Sequence, residues 1–521
     1  MEPGAPRPLL FGVFKRTSPP VFAGSAVLAF GLVAFVLRDP GHAAGVFATL
    51  QHQITAWFGW LYRYAITAVL LFSLLLLASR HGNLRLGTPY SEPAFERLSW
   101  YAMMFGAGMG IGLLFWSVSE PLAHFARPPS GPGGTAAAAE RALRLTFFHW
   151  GLHAWAVYAV VGLALAYFGY RRGLPLTIRS TLFPLLGRRI LGWPGHVADI
   201  VAVVATLFGV ATSLGLGAIQ LNAGLDYLLG IPVHGAVQLL AVAAITAIGT
   251  WALARGLDQG IAAVSRLNIG IAAALMLVVL LLGPTIRLLE ILGEATMDYL
   301  VSLPGLTLWS NAFGEPDWQQ QWTLFYWAWW ISWSPFVGMF IAWISRGRTI
   351  REFLAGVLLF PTGATLVWMT IFGGTALHLE LFADAGIAAA AAEDVSRGLF
   401  LMFDRLPLSG LLGATACLAL VTFFVTSSTS GAFVIDIMTA GGDPDPPRIQ
   451  RLFWSVMIGL VAGALLLGGG LTALQTAAIL AGLPFTIVLL LLCAGVWRAV
   501  SLEAAGGGAS GPGTDGWPGP R

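Results

Sequence analysis

The chain has 521 residues, 57% of them hydrophobic and only 10% charged, where soluble domains carry roughly 25% charged residues. That composition excludes a water-soluble enzyme, and a net charge of +3 from 28 basic and 25 acidic side chains offers no surface for a polyanion, so nucleic acid is excluded as a partner. The aromatic share of 12%, with 20 Trp and 32 Phe, exceeds what anchoring in a bilayer requires.

A helix needs about 20 mostly apolar residues to cross roughly 30 Å of hydrocarbon. In chain order, twelve such windows occur, at about 20–38, 54–78, 97–125, 143–170, 196–224, 234–254, 259–284, 322–345, 350–378, 407–439, 450–470 and 474–498. No small-residue cleavage site follows the first, which therefore reads as a retained span and not a signal peptide. An even number puts both termini on one side. With the termini inside, 19 of the 28 basic residues lie inside, seven outside and two, Arg63 and Arg266, within spans, as the positive-inside rule requires. Arg171, Arg172, Arg179, Arg188 and Arg189 share one inner loop, and Arg346, Arg348 and Arg351 another.

Two spans are punctuated. In the third, the stretch AGMGIG alternates Gly106, Gly108, Gly110 and Gly112, a spacing that suits a backbone opening to present carbonyls, although Gly106 and Gly110 also form the GxxxG of a tight helix contact. In the eighth, Pro335 lies in WAWWISWSPF and has no N–H to donate, so a second break is expected there. Transporters commonly place their site where helices unwind in matching positions of two repeats. Counting five spans from each break gives an inverted five-helix repeat.

The chain is accordingly divided into a cytoplasmic N-terminal tail (1–19), two peripheral transmembrane helices (20–95), a first five-helix repeat (96–284), an external amphipathic helix or loop (285–321), a second repeat (322–498) and a disordered C-terminal tail (499–521). The external segment carries Leu288, Leu289, Leu292, Leu300 and Leu303 among Glu290, Glu294 and Asp298, the pattern of a helix lying on the membrane surface. Cys417 and Cys493 lie in apolar runs and read as small hydrophobes.

Trp57, Trp60, Trp193 and Trp497 fit an interfacial belt. Trp329, Trp330 and Trp333 do not, because at 1.5 Å per residue they lie about 15 Å deep in the eighth span. In the fourth span, Trp150, Trp155 and Tyr158 fall on one side of a continuous helix. Each buried indole needs a partner for its N–H, so these are costly choices for packing alone. Clustered electron-rich rings suit a quaternary ammonium group, each contributing up to about 2 kcal/mol when desolvated. Three or four such contacts approach the roughly 8 kcal/mol of a micromolar dissociation constant. The middle stretches of spans 3, 4 and 8 contain no Asp or Glu, Glu120 near the end of the third being the nearest. His149 and His153 have no carboxylate, thiol or third ligand near them in sequence and read as hydrogen-bonding core histidines, leaving no catalytic constellation.

The stretches FGAGMGIGLLFWSVSEPL, HWGLHAWAVYAVVGLALAY, FYWAWWISWSPFVGMFIAWISRGRTIREF and FFVTSSTSGAFVID together resemble the betaine/carnitine/choline transporter (BCCT) family, over about residues 20–498. The resemblance implies an all-α membrane protein of twelve transmembrane helices in the LeuT-type fold, a homotrimer in the bacterial plasma (inner) membrane, carrying trimethylammonium compounds by alternating access with no enzymatic activity. It implies a substrate cage of Trp150, Trp155, Tyr158, Trp329, Trp330 and Trp333, with Met109 where substrate and sodium meet and Phe336 as a cytoplasmic gate. It also implies a sodium ion held by the carbonyls of Gly106, Met109 and Phe423 and the hydroxyls of Thr426 and Ser427. A second sodium site is expected near Thr206, Thr212 and Ser213.

Thr429 stands where members often carry Asp, and Gly112 where proton-coupled choline carriers do. The latter favours a zwitterion such as glycine betaine over choline. Proton-coupled choline uptake, sodium-independent carnitine or betaine exchange, and a non-transporting receptor are the alternatives. Beyond Glu503 the tail carries only Asp515 and Arg521, so deletion of 502–521 is expected to spare any osmotic activation.

Overall fold

The computed structural model describes residues 17–108, 110–255, 258–309 and 316–505. Among these the chain is helical throughout, the one recorded bridge being Arg85 with Thr349. The principal helices are α1 (Pro19–Arg38), α2 (Pro40–Ala78), α3 (Arg97–Gly108), α4 (Ile111–Ala126), α5 (Ala136–Trp150), α6 (Leu152–Ala166), α7 (Trp193–Leu229), α8 (Gly235–Ala254), α9 (Asp258–Leu282), α10 (Thr285–Leu308), α11 (Thr323–Ile344), α12 (Ile350–Met369), α13 (Ser409–Thr439), α14 (Arg448–Leu467) and α15 (Gly470–Ala505). Several of them start on a side-chain cap. Asp39 accepts from His42 N at 3.0 Å ahead of Pro40, Thr135 from Ala138 N at 3.1 Å, and Thr349 from Glu352 N at 3.1 Å. The cap at Asp39 lets α2 begin well before residue 54, so the expected outer loop is helix instead.

Ten helices among the described residues are long and apolar enough to cross a membrane. The third and eighth windows are the two outside that set. The third is split into α3 and α4, of 12 and 16 residues, each short of the about 20 a span needs. The eighth, α11, is 22 residues long, but Trp, Tyr and Ser fill its middle.

The expected break in the third window is present: α3 stops at Gly108 and α4 restarts at Ile111, after Gly110 in extended conformation. The break expected at Pro335 is not, because α11 runs through it. Pro335 deprives the Ile331 carbonyl of its usual i+4 donor, and the Ser334 hydroxyl supplies one at 2.7 Å, leaving little reason for the helix to open. A break that the pattern concealed occurs in the fourth window. Gly151 has φ −92° and ψ −136°, ending α5 at Trp150. The Tyr299 hydroxyl, from α10, enters the gap and accepts from Leu152 N at 3.1 Å. Burial pushes the Tyr299 phenol up, keeping it neutral. A Cβ at residue 151 would lie 2.5 Å from Phe147 O and 2.7 Å from that hydroxyl, so only glycine fits.

The core is α6, α7 and α11. Twenty of the 22 residues of α11 are buried, the pattern of a helix surrounded by protein. It approaches α6 through Gly162 and Gly338: a Cβ at 162 would lie 3.1 Å from Gly338 O. The external segment forms α10, which buries Leu288, Ala295 and Tyr299 and exposes Leu289 and Leu300. At the other end, α15 continues to Ala505, so residues 499–505 are helical and not the start of a disordered tail. Glu503 accepts from Tyr167 OH at 2.7 Å and Arg171 Nε at 2.8 Å, and pairs with Arg171 Nη2 and with Arg172 Nη2 at 3.2 Å. Deletion of 502–521 therefore also removes an ion-pair hub.

Candidate binding site

Two chain breaks and one unbroken helix bring the site together. Because α5 ends at Trp150, the His149 carbonyl has no donor within its own helix, and Trp330 on α11 donates its Nε1–H to it at 2.8 Å. That bond holds Trp330 against Trp150 with ring centroids 4.8 Å apart and planes at 70°. Trp329 stacks on Trp330 at 5.0 Å and 14°, and Trp150 meets Trp329 edge-on at 6.2 Å. Tyr158 reaches Trp330 at 6.2 Å, and Trp155 joins through Tyr158 at 5.5 Å. Tyr326 stacks on Trp330 at 5.9 Å and 26°. All are buried.

Five of the six expected cage aromatics thus form one contiguous cluster. Trp333 instead pairs with Phe336 at 5.4 Å and lies over Gly110, whose added Cβ would sit 3.5 Å from the indole. Gly112 lies beneath Trp329 so closely that a Cβ there would be 2.3 Å from the ring. Met109 lies outside the described residues. The indole nitrogens of Trp329 and Trp333 and the hydroxyl of Tyr158 are buried without a hydrogen-bond partner among the described residues.

Sequence reasoning missed the group that anchors the cluster. The expectation that no carboxylate lies near the cage or near His149 is corrected by Glu120 on α4, which is fully buried. Glu120 Oε2 accepts from Trp150 Nε1 at 2.7 Å and from Tyr326 OH at 2.5 Å. Its Oε1 lies 2.7 Å from His149 Nδ1 and 3.2 Å from His124 Nε2. A carboxylate only accepts, so both imidazoles donate to it, and His149 Nε2, 3.0 Å from Thr323 Oγ1, then accepts from that hydroxyl. Beyond His124, one turn away on α4, the partners come from α5 and α11, 29 to 206 positions away. The available signal was an acidic residue in an otherwise apolar span, which is itself a functional marker.

Glu120, His124 and His149 bring their ligand atoms within 4.8 Å of one another, close enough to hold a metal. The four donors already present occupy the about four lone-pair directions of a carboxylate, so the cluster is complete as a hydrogen-bonded hub. His153 behaves as the sequence implies, hydrogen-bonded to Thr307 Oγ1 at 3.1 Å and stacked on Trp327.

Around the α3–α4 break, Ser427 Oγ on α13 lies 3.9 Å from the Cβ position of Gly110. Thr426 Oγ1 lies 3.0 Å from Thr422 O and 3.1 Å from Phe423 O, the back-bonding usual for a helical threonine. Asn268 Nδ2 donates to the same hydroxyl at 3.3 Å. Of the residues expected to form a second ion site, Thr212 and Ser213 are bonded to Leu474 O and Gly209 O, whereas Thr206 Oγ1 is buried without a partner among the described residues.

Comparison with known proteins decides what this architecture belongs to. The family model described as betaine/carnitine/choline family transporter matches residues 20–505. The chain belongs to the BCCT family. It is 46% identical over 498 residues to an uncharacterized transporter of Mycobacterium tuberculosis, covering 94% of this chain and 84% of the relative. It is 44% identical to glycine betaine transporter 1 of Vibrio parahaemolyticus, covering 93% and 94% of the two chains. It is 42% identical to the high-affinity choline transport protein of Escherichia coli, covering 94% and 73%. As a BCCT member the chain is a multi-pass membrane transporter and not an enzyme.

Proposed function

We propose that the chain is a secondary active transporter importing a quaternary ammonium zwitterion, glycine betaine foremost, by sodium-coupled alternating access. The observation that carries this reading is the pairing of ring faces at Trp150, Trp330 and Tyr158 with three buried donors, on Trp329, Trp333 and Tyr158, that no described protein acceptor takes. A trimethylammonium group needs ring faces because it cannot donate hydrogen bonds. A carboxylate needs donors. Leaving a buried donor unmet costs about 1–3 kcal/mol, a cost that a carboxylate accepting from it removes.

In this reading α3 with α4 forms one span and α11 another, completing twelve spans in an inverted five-helix repeat preceded by α1 and α2. Both termini are cytoplasmic, and the molecule works as a homotrimer in a bacterial inner membrane. Phe336, packed on Trp333, covers the cage on the cytoplasmic side. Sodium is held by oxygens of Gly106, Met109, Phe423, Thr426 and Ser427, hard donors suited to a hard cation. The approach of Ser427 to Gly110 supports this placement. Two sodium ions moving with a neutral zwitterion couple about 4.6 kcal/mol to each 100 mV of membrane potential.

One observation favours choline as a second reading: Glu120 sets a carboxylate behind Trp150, where a net cation needs a counter-charge. Uptake of labelled glycine betaine into proteoliposomes, with and without a sodium gradient and with choline as competitor, tests both. Sodium-dependent accumulation that choline fails to inhibit supports the first reading. Binding without accumulation identifies a receptor, and accumulation without sodium removes the ion assignment.

A further inference from the structure

We propose that Glu120 is a positioning residue for the substrate cage, fixing and polarising Trp150 through its indole N–H and bracing Trp330 through His149. This deepens the proposed function and rests on that reading.

The chain of contacts is continuous. Trp150 and Trp330 form the perpendicular corner of the cage, and the nitrogen of each is held by a group of one hub: Trp150 by Glu120 Oε2, Trp330 by the carbonyl of His149, whose imidazole is bound to Glu120 Oε1. Tyr326, the ring stacked on Trp330, donates to the same Oε2 as Trp150. One carboxylate therefore sets the orientation of three rings drawn from α5 and α11.

Charge matters as well as shape. An indole donating to an ionised oxygen forms a charge-assisted bond, stronger than one to a neutral acceptor. That bond pushes electron density into the ring and deepens the negative face a cation meets. Glu120 also lies behind the rings, with its acceptor directions filled by protein donors. It acts through Trp150 and does not itself touch the substrate. Glutamine at this position keeps the volume but loses the charge, and its amide NH2 faces donors where an acceptor is required.

The test is a double-mutant cycle on betaine uptake and binding in proteoliposomes containing the full chain, with Glu120→Gln, Trp150→Phe and the pair. Glu120→Gln is expected to raise KM about tenfold while Vmax stays within about twofold. Trp150→Phe, which removes the N–H, is expected to raise KM and to shrink the effect of Glu120→Gln in the pair to the part carried by His149 and Tyr326, as coupled neighbours do. An unchanged KM in Glu120→Gln, a loss confined to Vmax, or effects that multiply independently overturn the proposal. If Glu120→Gln is not recovered as a monodisperse protein, Tyr326→Phe decides: a KM rise of about threefold or more at unchanged Vmax supports the hub, and an unchanged KM refutes it. Wild-type protein that neither binds nor accumulates betaine overturns the underlying reading. Wild-type transport with an unaltered Glu120→Gln overturns this inference alone.

Discussion

Replacing Trp330 by Leu removes the ring that four others touch. Trp330 meets Trp150 at 4.8 Å, Trp329 at 5.0 Å, Tyr326 at 5.9 Å and Tyr158 at 6.2 Å, and its Nε1 donates to His149 O at 2.8 Å. Loss of one desolvated ring from a cation cage is worth about 2 kcal/mol. At about 1.4 kcal/mol per factor of ten, that alone is roughly a 30-fold rise in KM. The orphaned His149 carbonyl adds to the cost of folding, about 1–3 kcal/mol, and loosens Trp150 beside it. Concentration-dependent uptake of labelled betaine in proteoliposomes measures the effect, with Trp57→Leu as control, since Trp57 is 74% exposed on the outer face of α2. A KM within threefold of wild type for Trp330→Leu, or an equal rise for Trp57→Leu, refutes the cage.

Gly112→Ala places a methyl 2.3 Å from the Trp329 ring; overpacking of this kind costs about 1–3 kcal/mol, so a KM rise of roughly tenfold with a lower thermal midpoint is expected from uptake and melting assays. Glu503→Ala strips Tyr167, Arg171 and Arg172 of their shared carboxylate and is expected to lower thermal stability by about 1–3 kcal/mol, whereas deletion of 506–521 leaves the melting midpoint unchanged. Ser427→Ala removes the hydroxyl that lies 3.9 Å from the Cβ position of Gly110, and the sodium concentration for half-maximal uptake is expected to rise about tenfold or more, with betaine binding at saturating sodium retained.

Long apolar runs made most of the helices legible, and alternating glycines made the α3–α4 break legible, because both signals reside in one contiguous window. The errors have a different physical origin. At Pro335 the lost backbone donor is replaced by Ser334, one residue away, a side-chain compensation that a rule about proline does not contain. At Gly151 a single glycine in a helical pattern carries little information. What opens the helix is Tyr299, 147 positions from Leu152. Glu120 was visible as a residue but not as a hub, since its partners lie 4, 29, 30 and 206 positions away. The cage aromatics were legible for the opposite reason: a Trp far from either membrane interface is anomalous in its own window, whatever it later touches.

The two windows that fall outside the ten apolar helices build the site together with the fourth, which is within that set. The third falls outside because its break leaves two short helices, and the eighth because of where α11 sits. Hydropathy measures fitness for lipid contact. The windows of α8 and of Ala263–Leu282 are only 22% buried by the rest of the protein, so their composition answers to hydrocarbon on most faces. By contrast 20 of the 22 residues of α11 are buried by the rest of the protein, which frees it to carry four Trp, a Tyr and two buried Ser in its central turns. α4 can carry Glu120 for the same reason, every one of its polar contacts being supplied by protein. A deficit of apolarity in a window otherwise long enough to span is therefore informative about position. It marks a helix shielded by its neighbours, and in a transporter those are the helices able to face a charged cargo.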